Sequence, residues 1–290
     1  MLSILIPIYN YDVTELVGCL QSSFSNKPSA FEYEILCYDD ASDNKELHSI
    51  NNKLNELDNV TYKVLDKNLG RSQIRNLLAK ESKGDWLLFL DCDSLPCHKD
   101  FIANYLQQTN DADVVCGGTK YQDKSQISKE YLLHWKNGKK REENQKHFTT
   151  NNFLIKKDIF LNICFEQTLT GYGHEDTIFG QELQHNNYKI KHIDNAVYHL
   201  GLKNTDKFLS DTINATKNLR YLYDNPKYTN MTKNLKIVKA FETLKIFYLI
   251  GLFTFLCKLF QPLILKQLHS NNPNLHLLDI YKLNNFIISS

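Results

Sequence analysis

Apolar runs of strand length alternate with helical patterns through the first 120 residues. The runs at 2–8, 33–38, 60–65, 86–90 and 114–116 read as buried strands, and the stretches at 13–24, 45–57, 72–81 and 99–108 carry helical periodicity. This alternation predicts an α/β fold, a mostly parallel central sheet flanked by helices on both faces. In such sheets ligands bind beyond the carboxyl ends of the strands. The polar residues that follow each strand are therefore candidates for one shared edge: Asn10, Asp39 and Asp40, the segment Asn68 to Arg71, and Asp91 with Asp93. From 120 to 145 the pattern breaks into a polar stretch with Trp135 and a basic run at 136–141, which reads as a variable loop or short helices over the site. A short strand at 153–155, a polar helix at 175–185 and a strand at 189–193 follow, leading to Val197, Tyr198 and His199. Beyond Gly201 the chain reads as helical, so two regions are expected, 1–203 and 204–290.

Composition narrows the class of partner. The 290 residues are 42% hydrophobic and 23% charged, enough to bury a large core, and a formal net charge of +1 gives no reason to expect nucleic acid. The run KNGKKREE is basic but ends in Glu142 and Glu143, and reads as a solvated surface. Seven cysteines without a CxxC pair read as reduced thiols rather than a disulfide framework, which fits a reducing compartment. The opening MLSILIPIYN has no basic leader and reads as a first strand, not a signal peptide.

The most specific chemistry lies in GDWLLFLDCDS, residues 84–94, where a buried strand empties into two carboxylates one residue apart. Two ionised acids at a strand end need water, a cation or basic side chains to offset their repulsion, and a divalent ion on phosphate oxygens is one answer. A solvated turn is the other.

Five segments, in order, resemble glycosyltransferase family 2 of the GT-A fold over about the first two hundred residues. SILIPIYN is similar to that family's first strand, CYDDASD to its second strand with an acidic pair, and NLGRSQIRN to the segment after its third strand. DCD matches its Asp-x-Asp element, and GYGHEDTIFGQEL its Glu-Asp helix start. The resemblance implies a Rossmann-like GT-A domain and a nucleotide diphosphate sugar donor, usually a uridine derivative. It places Pro7, Tyr9 and Asp39 around base and ribose and Gly70, Arg71 and Arg75 toward the diphosphate, and adds Asn10, Asp40 and Asp91 to the nucleotide-binding residues. For Arg75 a structural salt bridge to a nearby Asp is an alternative. It implies Mg²⁺ or Mn²⁺ held by Asp93, with Asp91 direct or through water, and by His199 of NAVYHLG, the imidazole favouring Mn²⁺. It makes Asp176 the base that takes the acceptor proton, with Glu175 binding acceptor hydroxyls or orienting the helix. Asn151, Asn152 and His174 fall on the acceptor side. His174 departs from the family pattern, where a small or aromatic residue is commoner, and this leaves its effect on the base or on acceptor choice open.

The expected activity is inverting, metal-dependent transfer of a sugar to a hydroxyl of a glycan or lipid-linked acceptor in surface polysaccharide biosynthesis. A nucleotidyltransferase and a sugar-nucleotide-binding scaffold without catalysis are the alternatives; IPIYNYD lacks the Gly-rich phosphate loop of the former. The stretch 246–257, IFYLIGLFTFLC, is apolar all round between Lys245 and Lys258, and is shorter than the roughly 20 residues a spanning helix needs. It reads as either a packed helix or an interfacial one, with peripheral membrane contact through 233–268 preferred. The expected location is cytoplasmic, including the cytoplasmic face of a membrane.

Overall fold

The computed structural model describes residues 1–25, 32–143, 148–169 and 171–289. In chain order it has β1 (Leu2–Ile8), α1 (Thr14–Ser25), β2 (Tyr33–Asp39), α2 (Lys45–Asn52), β3 (Val60–Val64), α3 (Arg71–Glu81), β4 (Trp86–Leu90), β5 (Ser94–Pro96) and α4 (Phe101–Leu106). Then come β6 (Val114–Cys116), β7 (Thr119–Lys120), α5 (Leu132–Arg141), β8 (Asn152–Lys156), α6 (Lys157–Ile163), α7 (Glu175–His185), β9 (Ile190–His192) and β10 (Val197–His199). The chain ends in α8 (Thr205–Asp224), α9 (Thr229–Thr232), α10 (Lys236–Ile246), α11 (Ile250–Leu268) and α12 (Leu275–Ile288).

These elements form two compact units, and the division does not fall at one place in the sequence. The first comprises 1–121, 143–167 and 179–201; the second comprises 122–142, 168–178 and 202–290. Residues 122–142 and 168–178 therefore belong with the C-terminal helices, although the sequence reading kept them in the 1–203 region.

The first unit is built on a seven-stranded sheet of order β3-β2-β1-β4-β8-β6-β9. The pairs β1–β2, β2–β3, β1–β4 and β6–β9 are parallel, whereas β8 is antiparallel to both β4 and β6. Period-two alternation sends Leu2, Ile4, Ile6 and Ile8 to one face, against Val13, Val17 and Leu20 of the α1 region and Phe101 and Tyr105 of α4. Leu5, Leu87 and Phe89 face the other way, onto Ile74 and Leu78 of α3, Phe160 of α6 and Phe179 of α7. A three-stranded sheet of order β5-β10-β7 stands beside the strand ends. Sequence periodicity misses β5, because three residues ending in proline carry no alternation.

The second unit is helical. Leu133 of α5, Phe208 and Leu209 of α8, Ile264 and Leu268 of α11 and Leu278 of α12 share one cluster; Val238, Phe241 and Phe286 share another with Leu219. The basic run expected as a solvated loop is the end of α5. Arg141 grips Asp279 with two hydrogen bonds of 2.7 and 2.8 Å, and Lys136 donates to the Pro273 carbonyl at 2.7 Å. The last residues of the polar 120–145 stretch, 144 and 145, lie outside the described residues.

Candidate active site

Parallel register brings the carboxyl ends of β1, β2 and β3 level. Ile8 lies opposite Asp39, and Asp39 opposite Val64. There the acidic pair organises the rim. Asp39 is fully buried; its carboxylate accepts from the Ser42 amide at 2.7 Å and the Tyr62 hydroxyl at 3.0 Å, with His48 Nε2 at 3.7 Å. Ser42 Oγ in turn accepts from the Asn10 amide at 2.7 Å. The Asp40 carboxylate accepts from the Leu69 and Gly70 amides at 2.6 and 2.9 Å, clamping the turn into α3. Burial raises the Asp40 pKa above the usual carboxylate range against the pull of those two amides. Asp39, expected at base and ribose, and Asp40, expected among the nucleotide-binding residues, both accept from the rim itself, because a backbone turning sharply after a buried strand must satisfy its amides locally. Tyr9 and Arg71 are exposed at this edge, Pro7 partly so, and Gly70 opens α3.

At the end of β4 the two acids of DCD diverge. Asp91 Oδ1 accepts from Arg75 Nη2 at 2.5 Å, and Arg75 is only 2% exposed, over the Phe165 ring. A buried guanidinium needs a counter-charge, and Asp91 supplies it, which is the structural salt bridge given above as the alternative for Arg75. Asp93 turns the other way. Antiparallel pairing of β10 with β5 sets His199 opposite Ser94 and puts His199 Nδ1 3.5 Å from Asp93 Oδ1. That oxygen is buried, and among the described residues it has no hydrogen-bond partner within normal distance. Burial pushes the Asp93 pKa up, but His199 and the Arg71 guanidinium outweigh it and hold the carboxyl below its usual range.

Three further residues frame this pair, none of them singled out by sequence. A Cβ on Gly201 would lie 1.9 Å from Asp93 Oδ2, so only glycine lets β10 run so close to the carboxylate. The isolated glycine two residues past a strand-end histidine was the available signal. Tyr121 packs edge-on to His199 at 5.6 Å between ring centroids. The Tyr11 phenol is raised to about 12, by burial first and then by the charge of Asp93.

A divalent cation fits the Asp93–His199 pair. An orphaned carboxylate oxygen beside an imidazole is a mixed oxygen and nitrogen donor set, of the kind that would suit Mg²⁺ or Mn²⁺. Asp91 does not stand with them as a third direct ligand: among the described residues no cluster of three His, Cys, Asp or Glu side chains forms, and a contact through water is the other form its expected role takes.

On the acceptor side the two asparagines part. Asn151 Nδ2 donates to Thr119 Oγ1 at 2.6 Å, and its Oδ1 has no partner among the described residues. Asn152, expected to touch acceptor, is fully buried. It donates to the carbonyls of Gly118 and Asn195 at 3.0 Å and accepts from the Tyr105 hydroxyl at 2.6 Å. It is a core bracket, and Asn152→Ala should destabilise the protein by about 3 kcal/mol by stranding these groups. Urea unfolding would measure this; a loss under about 0.5 kcal/mol would contradict the assignment.

The Glu-Asp segment lies in the second unit, on a shelf made by α8. Gly173 has φ +108°, and a Cβ there would lie 2.5 Å from the Ala215 Cβ. Asn218 Nδ2 donates to the Gly173 carbonyl at 3.1 Å, and Lys203 Nζ lies 4.1 Å above the Tyr172 ring while pairing with Asp211 at 2.7 Å. Glu175 is buried and its Oε2 accepts from the Gly173 amide at 3.0 Å, so it closes the turn into α7, in keeping with the helix-orienting alternative given for it above. His174, also at positive φ, places Nδ1 3.2 Å from Thr177 Oγ1; burial pushes its pKa down to about 4, keeping it neutral at pH 7. Its ring thereby ties the turn to the first turn of α7. Asp176 is partly exposed, and its Oδ1 accepts from the Thr177 amide at 2.7 Å.

Comparison with known proteins gives these features a family. The model of glycosyl transferase family 2 matches residues 3–166. An uncharacterized glycosyltransferase of Haemophilus influenzae is 32% identical over 107 residues, 36% of this chain and 38% of that protein. A poly(ribitol-phosphate) beta-glucosyltransferase of Bacillus spizizenii is 30% identical over 124 residues, 41% of this chain and 19% of that protein. The chain thus aligns with well under half the length of these relatives. Among solved structures, S. aureus TarS residues 1–349 in complex with UDP superposes with a TM-score of 0.54 at 17% identity, covering 99% of this chain and 89% of that one. The mannosyltransferase PcManGT of Pyrobaculum calidifontis, in complex with GDP-Man and Mn²⁺, gives 0.58 at 13% identity, covering 83% and 69%. With more than half of its length matched by the family model and a mostly parallel sheet like that of the GT-A neighbours, the chain belongs to glycosyl transferase family 2 and has the GT-A fold.

Proposed function

We propose that this protein is an inverting, divalent-metal-dependent glycosyltransferase. In this reading it moves a sugar from a nucleotide diphosphate, a uridine derivative, to a hydroxyl of a glycan or lipid-linked acceptor in surface polysaccharide assembly, at the cytoplasmic face of a membrane. The observation that carries it is the Asp93–His199 pair at the strand ends, with the orphaned Asp93 oxygen held ionised beside Arg71. The structural neighbours solved with UDP, UDP-GlcNAc and GDP-Man support a nucleotide-sugar donor, and the Mn²⁺ in one of them supports the metal.

Each residue has a defined task. Tyr9 and Pro7 offer a surface for the base, and the exposed Arg71 guanidinium at the start of α3 offers charge to the diphosphate. Asp93 and His199 would hold Mg²⁺ or Mn²⁺, which when bound neutralises charge developing on the leaving diphosphate. Asp176 takes the proton of the acceptor hydroxyl as its oxygen bonds to the anomeric carbon and the carbon–oxygen bond to the diphosphate breaks on the opposite face. A binding scaffold would need no such base, and a nucleotidyltransferase would need a Gly-rich phosphate loop that the β1 end lacks.

Titration calorimetry with a panel of nucleotide diphosphate sugars, with and without Mn²⁺, tests the donor half. One donor is expected to bind only with metal present and to be hydrolysed slowly. Absence of metal-dependent binding by every donor would overturn the reading.

A further inference from the structure

The corner between α10 and α11 leaves a group of large apolar side chains outermost. Ile246, Phe247, Tyr248 and Leu249 form the turn, and Tyr248, 94% exposed at φ +57°, is its tip. From there one face of α11 continues with Leu252, Phe255, Leu256, Leu259, Phe260 and Leu263, all exposed. These positions recur at three- and four-residue intervals, a stripe rather than a scatter.

The opposite face of α11 is taken. Ile250 and Phe253 pack into the cluster of Val238, Phe241 and Phe286, and Ile264 and Leu268 pack on Leu275 and Leu278. With one side bound to protein, α11 cannot be surrounded by lipid. No single helix among the described residues is long and apolar enough to cross a membrane, and α10 and α11 meet at a bend of 117°.

Charge selects the occupant. From 225 to 278 the chain carries seven lysines and a single acidic residue, Glu242, whereas the whole chain has a formal charge of only +1. Lys245 precedes the apolar corner, and Lys258 and Lys266 are exposed on α11 beside the stripe. An apolar face bordered by lysines, with a tyrosine at its leading edge, matches an anionic lipid surface: the rings enter the headgroup region and the ammonium groups meet phosphates. A second copy of this chain would bring lysines against lysines.

We infer that the α10–α11 corner is an in-plane membrane-docking surface, with Tyr248 and the Phe255–Leu259 stripe inserted into the interface of anionic lipid. This deepens the placement at a membrane proposed above and rests on it.

Flotation of the full chain with phosphatidylcholine vesicles, with and without about a third phosphatidylglycerol, tests the inference. The wild type should float with the anionic vesicles. The double variant Phe255→Glu/Leu259→Glu should float at least about tenfold less, with an unchanged far-ultraviolet spectrum and melting temperature, since both side chains are already in solvent. The charge-reversal pair Lys245→Glu/Lys258→Glu should lose only the anionic-lipid dependence. If the wild type stays soluble with every vesicle, membrane placement itself fails. If it floats but the Phe255/Leu259 variant floats equally well, the placement stands and this surface is wrong. A dimer in light scattering that the variant abolishes, without change in flotation, would assign the face to a second copy and overturn the inference.

Discussion

Asp176→Asn is expected to lower sugar transfer by about 10²-fold or more while donor affinity stays within about twofold of wild type. The amide keeps the shape and the oxygen that accepts from the Thr177 amide, so the start of α7 is preserved, but it cannot take a proton. An acceptor hydroxyl has a pKa far above neutrality; without a base the attacking oxygen stays protonated, and about 2.7 kcal/mol of barrier follows from a hundredfold loss. Donor affinity is the control, since no donor contact is assigned to this residue. Glu175→Gln behaves differently in this account. The buried Glu175 carboxylate accepts from the Gly173 amide, so the neutral amide should lower stability and leave residual transfer above that of Asp176→Asn. Single-turnover transfer and donor titration on both variants measure this. A fully active Asp176→Asn enzyme would remove the residue from the chemistry.

The second large effect is expected at the proposed metal site. Asp93→Ala should abolish metal-dependent donor binding and transfer together, and chelation of the wild type should do the same, reversed by Mn²⁺. Gly201→Ala is the sharper probe, because it touches neither the metal nor the donor. Its methyl group would collide with Asp93 Oδ2, so the carboxylate must turn away from His199. Mn²⁺ affinity, read by electron paramagnetic resonance of the free ion, should fall by about tenfold or more if Asp93 is a ligand. Unchanged affinity in Gly201→Ala and in Asp93→Ala would show that the ion, if any, binds elsewhere.

Much of the first unit was legible in the sequence because its strands are short, apolar and bounded by polar residues. The run at 2–8 is β1 over its full length, and 86–90 is β4. The convergence of strand ends followed from the parallel order, which needed only alternation to infer. The fate of the acids at those ends was not legible. Asp39 and Asp40 bond mainly to backbone amides and to a tyrosine on β3, partners that no residue pattern identifies. Asp91 meets Arg75 because a helix packed on the sheet points a buried guanidinium at it, a tertiary fact set by the depth of α3. The division into units was hidden for a similar reason: Leu133 is buried with α8, α11 and α12, a partnership its local polar sequence does not advertise. The Gly173 turn rests on Ala215 and Asn218, more than forty residues away, so its positive φ appears in sequence only as a glycine.

The proton magnetic resonance spectrum of the transfer product bears most directly on the central claim. Protein, Mn²⁺, the donor found by titration and a hydroxyl acceptor should give a glycoside whose anomeric coupling constant reports the configuration opposite to that of the donor. Retained configuration would contradict direct displacement with Asp176 as the base.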